Sequence, residues 1–375
     1  MRKFLGRHSD GIFILLMVGA FTVIGGVLLH QRYLSMQGWQ TDFQERNVTL
    51  GELTVWQDRD TTPPLDAPIY AAIKSVNWLH DDDSVIALEM NGEWRAYPLA
   101  MLVNHQIVND IMQGIPIAVT YCPLCNSAVV FNRRVGDHVL RFGVSGATRN
   151  NGFLMWDDYT QSWWQQFTGE AIMGAYMGTR LEVLPSKIVT WSAYTKWHTM
   201  GRVLVADKNQ GQLAYSPEKI AWFGSIDPAP YIDKPLDKRL PPKERVLATI
   251  LEGSAVAYPF SLLTASGVIN DVIGDQAVAA FWQSAHLEKD NAIEPSQDTG
   301  MAVLFYRVVN GQTLTFVQQA DTIIDTETGS TWTIFGEAVK GPLKNTRLEQ
   351  VSGSAYYWFA WINSYPETRL YSAPQ

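Results

Sequence analysis

Residues 85–119 (VIALEMNGEWRAYPLAMLVNHQIVNDIMQGIPIAV) align without a gap with residues 246–280 (VLATILEGSAVAYPFSLLTASGVINDVIGDQAVAA), with ten identities in 35 positions. A chain that carries one pattern twice must stack two like units or fuse them into one body, which limits its architecture more than local propensity does. Ala96-Tyr97-Pro98 matches Ala257-Tyr258-Pro259, and Asn109-Asp110 matches Asn270-Asp271. GEAIMGAYMGTRLE (169–182) and GEAVKGPLKNTRLE (336–349) share eight of 14 residues, and Trp191 and Ala193 match Trp358 and Ala360 at the same offset of 167. Between these blocks Val129-Val130-Phe131 corresponds to Val303-Leu304-Phe305 after a shift of about 13 residues, an insertion placed after Phe281-Trp282, where the first copy reads YCPLCN. The copies therefore share a scaffold and diverge at Cys122 and Cys125, the two cysteines of this 375-residue chain.

Each copy reads mostly as strand. Val85 to Glu89 and Glu93 to Tyr97 flank Asn91-Gly92, a hairpin signal. A short helix follows Pro98, with Leu99, Leu102, Val103 and Ile107 at helical spacing. Ile115 to Tyr121 and Ser127 to Asn132 read as strands with the cysteines between them, and Val139 to Val144 as a strand before a polar loop, SGATRNNG. The fold class expected is α+β, mainly β, built as two pseudo-equivalent modules, residues 67–223 and 244–375, joined by a Pro-rich linker over 224–243.

Residues 11–29 (GIFILLMVGAFTVIGGVLL) carry no charge and are long enough to cross a bilayer as a helix. Arg2, Lys3 and Arg7 precede them, which places the N-terminus in the cytoplasm and the body across the membrane. Residues 1–35 thus read as a cytoplasmic tip and signal anchor in a bacterial inner membrane, 36–66 as a polar lead, and the rest as a periplasmic body. The net charge is −8, and the basic tip means that the body is more acidic still, which argues against nucleic acid as a partner. No Walker loop, G-x-G-x-x-G, H-E-x-x-H or G-x-S-x-G occurs, so no nucleotide cofactor is expected.

AYPLAMLVNHQIVND, VTYCPLCNSAVVF, SGATRNNGFLMWDDYTQSWWQQFTGEAIMG, DKRLPPKERVLA and YWFAWINSYPETRLY resemble the bacterial and archaeal domain-of-unknown-function family 3179 over roughly residues 67 to 373. The resemblance implies an exported protein, often with an N-terminal hydrophobic segment, and no particular reaction. In the family pattern a His stands at His105, Asn-Asp at Asn109-Asp110 and Cys-Pro-Leu at Cys122-Pro123-Leu124, while Thr-Gly often replaces Cys125-Asn126.

Two thiolates spaced by two residues can close on a metal ion or on each other. Strands on both sides of C-P-L-C favour a metal knuckle over a thioredoxin-like helix start, and one knuckle needs further ligands. His105 is the first candidate because Ser266 stands in its place in the copy without cysteines; His198 is the second. Two thiolates with imidazole suit copper, with zinc as competitor, and would serve metal handling with a periplasmic or metal-delivery protein partner. A thiol-disulfide oxidoreductase and a non-catalytic scaffold or ligand-binding protein with a structural disulfide are the alternatives. Ser145, Arg149, Asn150 and Asn151 have no counterpart in the second copy and could hold an anionic ligand. Repeated residues point to structure: Tyr97, Pro98, Asn109 and Asp110 (the last two as turn residues), Trp164, and the Glu170 and Arg180 pair mirrored by Glu337 and Arg347.

Overall fold

The computed structural model describes residues 37–227, 235–285 and 300–372. Residues 11–29 lie outside them, and among the described residues no helix is long and apolar enough to cross a membrane. The molecule is mainly β with a few short helices.

In the first half the strands are β1 (Leu53–Val55), β2 (Pro68–Ala72), β3 (Ser84–Met90) and β4 (Glu93–Pro98), then helix α1 (Leu99–Leu102), then β5 (Ile107–Met112), β6 (Ile115–Cys122) and β7 (Ser127–Asn132). Next come β8 (Phe142–Arg149), β9 (Gly152–Asp157), β10 (Trp163–Gln165), β11 (Glu170–Met173), β12 (Val183–Leu184), β13 (Ser186–Thr190), α2 (Trp191–Trp197), β14 (Arg202–Asp207) and α3 (Pro217–Ser225). The second half repeats this order as β15 (Arg245–Leu251), β16 (Ser254–Pro259), α4 (Phe260–Ser266), β17 (Val268–Ile273), β18 (Gln276–Gln283) and β19 (Met301–Tyr306). It continues with β20 (Phe316–Gln319), β21 (Thr322–Asp325), β22 (Thr331–Trp332), β23 (Ala338–Lys340), β24 (Gly353–Tyr357), α5 (Trp358–Ser364) and β25 (Arg369–Leu370).

Two-residue turns set the registers. Asn91 and Gly92 both take positive φ, which closes β3 on β4 with Met90 opposite Glu93, and Gln113-Gly114 does the same for β5 and β6. The helix after Pro98 is shorter than the apolar spacing predicts. Gln106 adopts φ 61°, which stops it, so Ile107 begins a strand and His105 lies in the intervening turn. SGATRNNG differs too: Ser145 to Arg149 continue β8 through a bulge, and only Asn150-Asn151 form the turn to β9. The expected lead also packs on the body, since β1 pairs antiparallel with β8 and both Val48 and Leu53 are buried.

Matched residues make matched bonds. Tyr97 Oη donates to Asp110 at 2.7 Å, and Tyr258 Oη to Asp271 at 2.8 Å. Asn109 and Asn270 sit in strands rather than turns, where each acts as an extra backbone unit. Asn109 accepts from Phe142 N at 2.9 Å and donates to Phe142 O at 2.8 Å, and Asn270 does the same to Phe316 at the same distances. Trp164 Nε1 donates to Asp157 and Trp332 Nε1 to Asp325. Arg180 pairs with Glu170 at 2.6 Å and Arg347 with Glu337 at 2.8 Å.

The halves share their cores. Trp191 and Tyr194 of α2 belong to a buried cluster that joins Val85, Ala87 and Ala96 of their own half to Phe281, Phe305, Phe316 and Trp332 of the other. Reciprocally, Trp358, Phe359 and Trp361 of α5 bury among Phe131, Phe142, Trp164 and Phe167. Neither half closes its core alone, so unfolding of the intact chain is expected to be a single cooperative transition; two separated denaturant transitions in fluorescence and circular dichroism would contradict this. Asn109→Ala should cost about 1–3 kcal/mol in that experiment, because it strands two buried backbone groups of Phe142.

Candidate functional site

Strand β6 ends at Cys122, directly opposite Ser127, the first residue of β7. The loop Pro123-Leu124-Cys125-Asn126 turns back because Asn126 accepts φ 50° and its N–H donates to Pro123 O. This folds Cys125 under Cys122. The sulfurs stand 2.7 Å apart, and the Cys125 N–H points at Cys122 Sγ from 3.4 Å. The Cys125 thiol also lies 2.9 Å from the carbonyl oxygen of Asn151, on the neighbouring Asn150-Asn151 turn, where both asparagines take positive φ. Exposure is 2% for Cys122 and 0% for Cys125, beneath Phe153, Phe167 and Tyr356. The second half holds the loop from above: Tyr357 N donates to Cys125 O at 3.0 Å.

This geometry splits the two thiols. Burial raises the Cys122 pKa, but hydrogen bonds from the Cys125 thiol and from the Cys125, Phe153 and Leu124 amides outweigh it and leave Cys122 below its ordinary value. Burial pushes Cys125 well up, and its bond to Cys122 adds to the effect. Cys122 is thus the more acidic of the two thiols and Cys125 the less.

Beside Cys122 lies a polar cluster that the sequence reading passed over. Thr120 and Cys122 share a face of β6, and Ser127 stands across from Cys122 on that same face. Gln166 joins them: Ser127 Oγ donates to its Oε1 at 3.0 Å, and its Nε2 donates to Thr120 Oγ1 at 3.0 Å. All three residues are fully buried. With Trp164 laid on Trp332, the matching positions in the second half are Phe281, Met301 and Ile334, all apolar and buried. The signal was present in the repeat, as polar residues of one copy that face hydrophobic ones in the other.

The four residues expected to share a metal are not brought into one group. His105 turns its Nδ1 to Pro63 O at 2.9 Å, and burial lowers its pKa. His198 belongs to another core, stacked 3.6 Å from the Trp94 ring with Phe335 edge-on at 4.3 Å. Among the described residues no group of three or more His, Cys, Asp or Glu side chains is placed to hold a metal ion. Arg149 is engaged by Glu52 at 2.7 Å and by Gln165 at 2.8 Å, and Ser145 Oγ accepts from Ala147 N inside the bulge. Of the candidate ligand-binding set only Asn151 touches the cysteines.

Fold and site together define a mainly β protein with two like series of elements and a buried dithiol in the first. Residues 59–368 match the family described as protein of unknown function (DUF3179), and the chain belongs to that family. No curated protein and no solved structure matches the chain.

His198 gives this architecture a pH limit. Burial, then Lys187 and Arg347, drive its pKa down to about 3, and its Nε2 has no hydrogen-bond partner. The unfolded state therefore binds more protons between about pH 3 and the ordinary histidine value near 6.5, and stability falls as pH drops through that window. His198→Phe should remove about 1–2 kcal/mol of the loss between pH 7 and pH 5, measured by urea unfolding at both values; an unchanged pH dependence would sink the assignment.

Proposed function

We propose that Cys122 and Cys125 form a thiol-disulfide redox centre, Cys122 as attacking thiolate and Cys125 as resolving thiol. The single observation that carries this is the contact between the sulfurs at 2.7 Å, with the Cys125 N–H turned to Cys122 Sγ. In the reaction Cys122 S⁻ attacks a disulfide RSSR, forms a mixed disulfide and releases RS⁻. Cys125 then gives up its proton and attacks Cys122 Sγ. The second RS⁻ leaves, so that the dithiol is oxidised by two electrons and the substrate disulfide reduced. The Thr120–Ser127–Gln166 cluster supports this reading, because buried polar groups cost stability unless they serve a local need, and the copy without cysteines lacks them.

In the same proposal the two halves derive from one duplicated module, of which the first, residues 67–223, kept or acquired the dithiol and the second, 244–375, acts as its cover. Residues 11–29 anchor the chain in a bacterial inner membrane with the body in the periplasm, where disulfide exchange has partners. Copper or zinc held by the two thiolates, for delivery to another periplasmic protein, is the competing reading, and it requires ligands beyond the pair.

The test uses the full chain in detergent micelles. Incubated with glutathione disulfide, the wild type should form an internal disulfide, and Cys125→Ser should stop at one glutathione per chain on Cys122, both read by intact mass. Cys122 should also alkylate with a pH midpoint below the ordinary ~8.5. A dithiol unmoved at any glutathione ratio would refute the proposal. So would stoichiometric copper or zinc in the purified protein that disappears in Cys122→Ser.

A further inference from the structure

A cavity of about 830 Å³ lies between the two halves, within the size range of small-molecule sites. Both halves contribute matched positions to its wall. At the alignment offset of 161, Asp82-Asp83-Ser84 corresponds to Lys243-Glu244-Arg245, and Leu99-Ala100 to Phe260-Ser261; all of these line it. Backbone bonds fix the correspondence: Trp191 N donates to Asp83 O, and Trp358 N to Glu244 O, each at 2.8 Å. The shape is thus shared by the halves, and the charge is not. The first half supplies two carboxylates, Asp82 and Asp83, the latter with Oδ2 accepting from His80 N at 2.7 Å and Tyr215 Oη at 2.6 Å, where the second supplies Lys243 and Arg245. Glu244 is turned aside, accepting from Ser261 N at 3.0 Å. Lys243 Nζ donates to the carbonyl oxygens of Phe223 at 2.6 Å and Gly224 at 2.9 Å and lies 5.1 Å from the Tyr357 ring centre, while the Arg245 guanidinium lies 4.4 Å from that of Phe260, so both cations are fixed at the wall. Helix α3 closes one side with Pro217, Ile220, Ala221 and Gly224.

We propose that this cavity binds a small zwitterion, a free amino acid or short peptide, with its carboxylate toward Lys243 and Arg245 and its ammonium toward Asp82 and Asp83. A cavity with acid contributed by one half and base by the other complements a ligand whose two charges are a few ångströms apart, and it penalises one that carries a single charge. Leu99, Ile188, Ile220 and Phe260 offer apolar surface for a side chain between those ends. Asn126, next to Cys125, and Tyr357, whose N–H holds the Cys125 carbonyl, also line the cavity, so an occupant lies one residue from the dithiol. The proposal does not depend on the redox reading.

The experiment measures binding of the twenty proteinogenic amino acids and of reduced and oxidised glutathione to the full chain in micelles, by thermal shift and then calorimetry. It is repeated on the double variant Cys122→Ser/Cys125→Ser, so that loss of redox chemistry and loss of binding are read separately. At least one zwitterion should bind with Kd below about 1 mM, and its deamino and decarboxylated analogues should bind about tenfold weaker or less. Asp82→Lys, at an exposed position, should weaken it by a similar factor, and adding Arg245→Glu should restore part of the loss. If Arg245→Glu does not fold, Asp82→Lys with the analogue series decides alone. No zwitterion bound with Kd below about 1 mM, or an analogue without its ammonium bound equally well, would overturn the proposal.

Discussion

The burial of two tryptophan-bearing helices in cores built by both halves is the constraint on which the rest of this structure depends. Trp358 of α5 has no exposure and sits in a core made largely by the first half, while Trp191 of α2 sits in one to which both halves contribute. Aromatic side chains of this size bury more apolar surface than any other residue in these elements, so their removal opens both cores at once. Everything near the cysteines inherits that dependence. The Cys125 carbonyl is held by Tyr357 at the start of α5, and the cysteines share one buried cluster with Tyr356 and Phe167. A site in one half is thus completed by the other.

Shared scaffold and divided chemistry follow from the same arrangement. Where both halves need a residue for architecture, both have it: Asn109 and Asn270 bond both backbone groups of the residue that begins β8 and β20, Tyr97 and Tyr258 hold a carboxylate, and Asp157 and Asp325 take an indole N–H. Where they differ, they do so in groups. Thr120, Ser127, Gln166, Cys122 and Cys125 fall on one side of the divergence, and Phe281, Met301 and Ile334 on the other. Replacing apolar packing by buried hydroxyls and an amide is costly unless every group is bonded, and here Gln166 satisfies both hydroxyl-bearing neighbours. The cavity between the halves shows the same logic in charge, with Asp82 and Asp83 at positions matched by Lys243 and Glu244.

Much of this was legible in the sequence, and the parts that were not share a cause. The hairpin at Asn91-Gly92 and the strands around the cysteines follow from turn chemistry and alternation, which are local. The end of α1 was misplaced because apolar Ile107 fits helical spacing as well as it fits a buried strand, and the left-handed Gln106 that decides between them carries no strong signature. Asn109-Asp110 read as a turn because asparagine and aspartate usually bond their own backbone; here their partners are Phe142, 33 residues away, and Tyr97 in a different sheet. Arg149 read as a ligand-binding residue because Glu52, its partner, lies 97 residues away in a segment read as a polar lead.

The sequence by itself determined that this chain has two like halves, that they are rich in strand, and that its cysteines occupy the point where the halves part. These are properties of order along the chain, and comparing the chain with itself exposes them. Which groups surround those cysteines was decided only by tertiary structure. Spacing placed His105 17 residues before Cys122, but the turn that ends α1 aims its ring at Pro63, and His198, at the end of α2, is packed between Trp94 of its own half and Phe335 of the other. Such packing has no local signal, because it depends on which core a buried side chain enters and not on the residues that flank it.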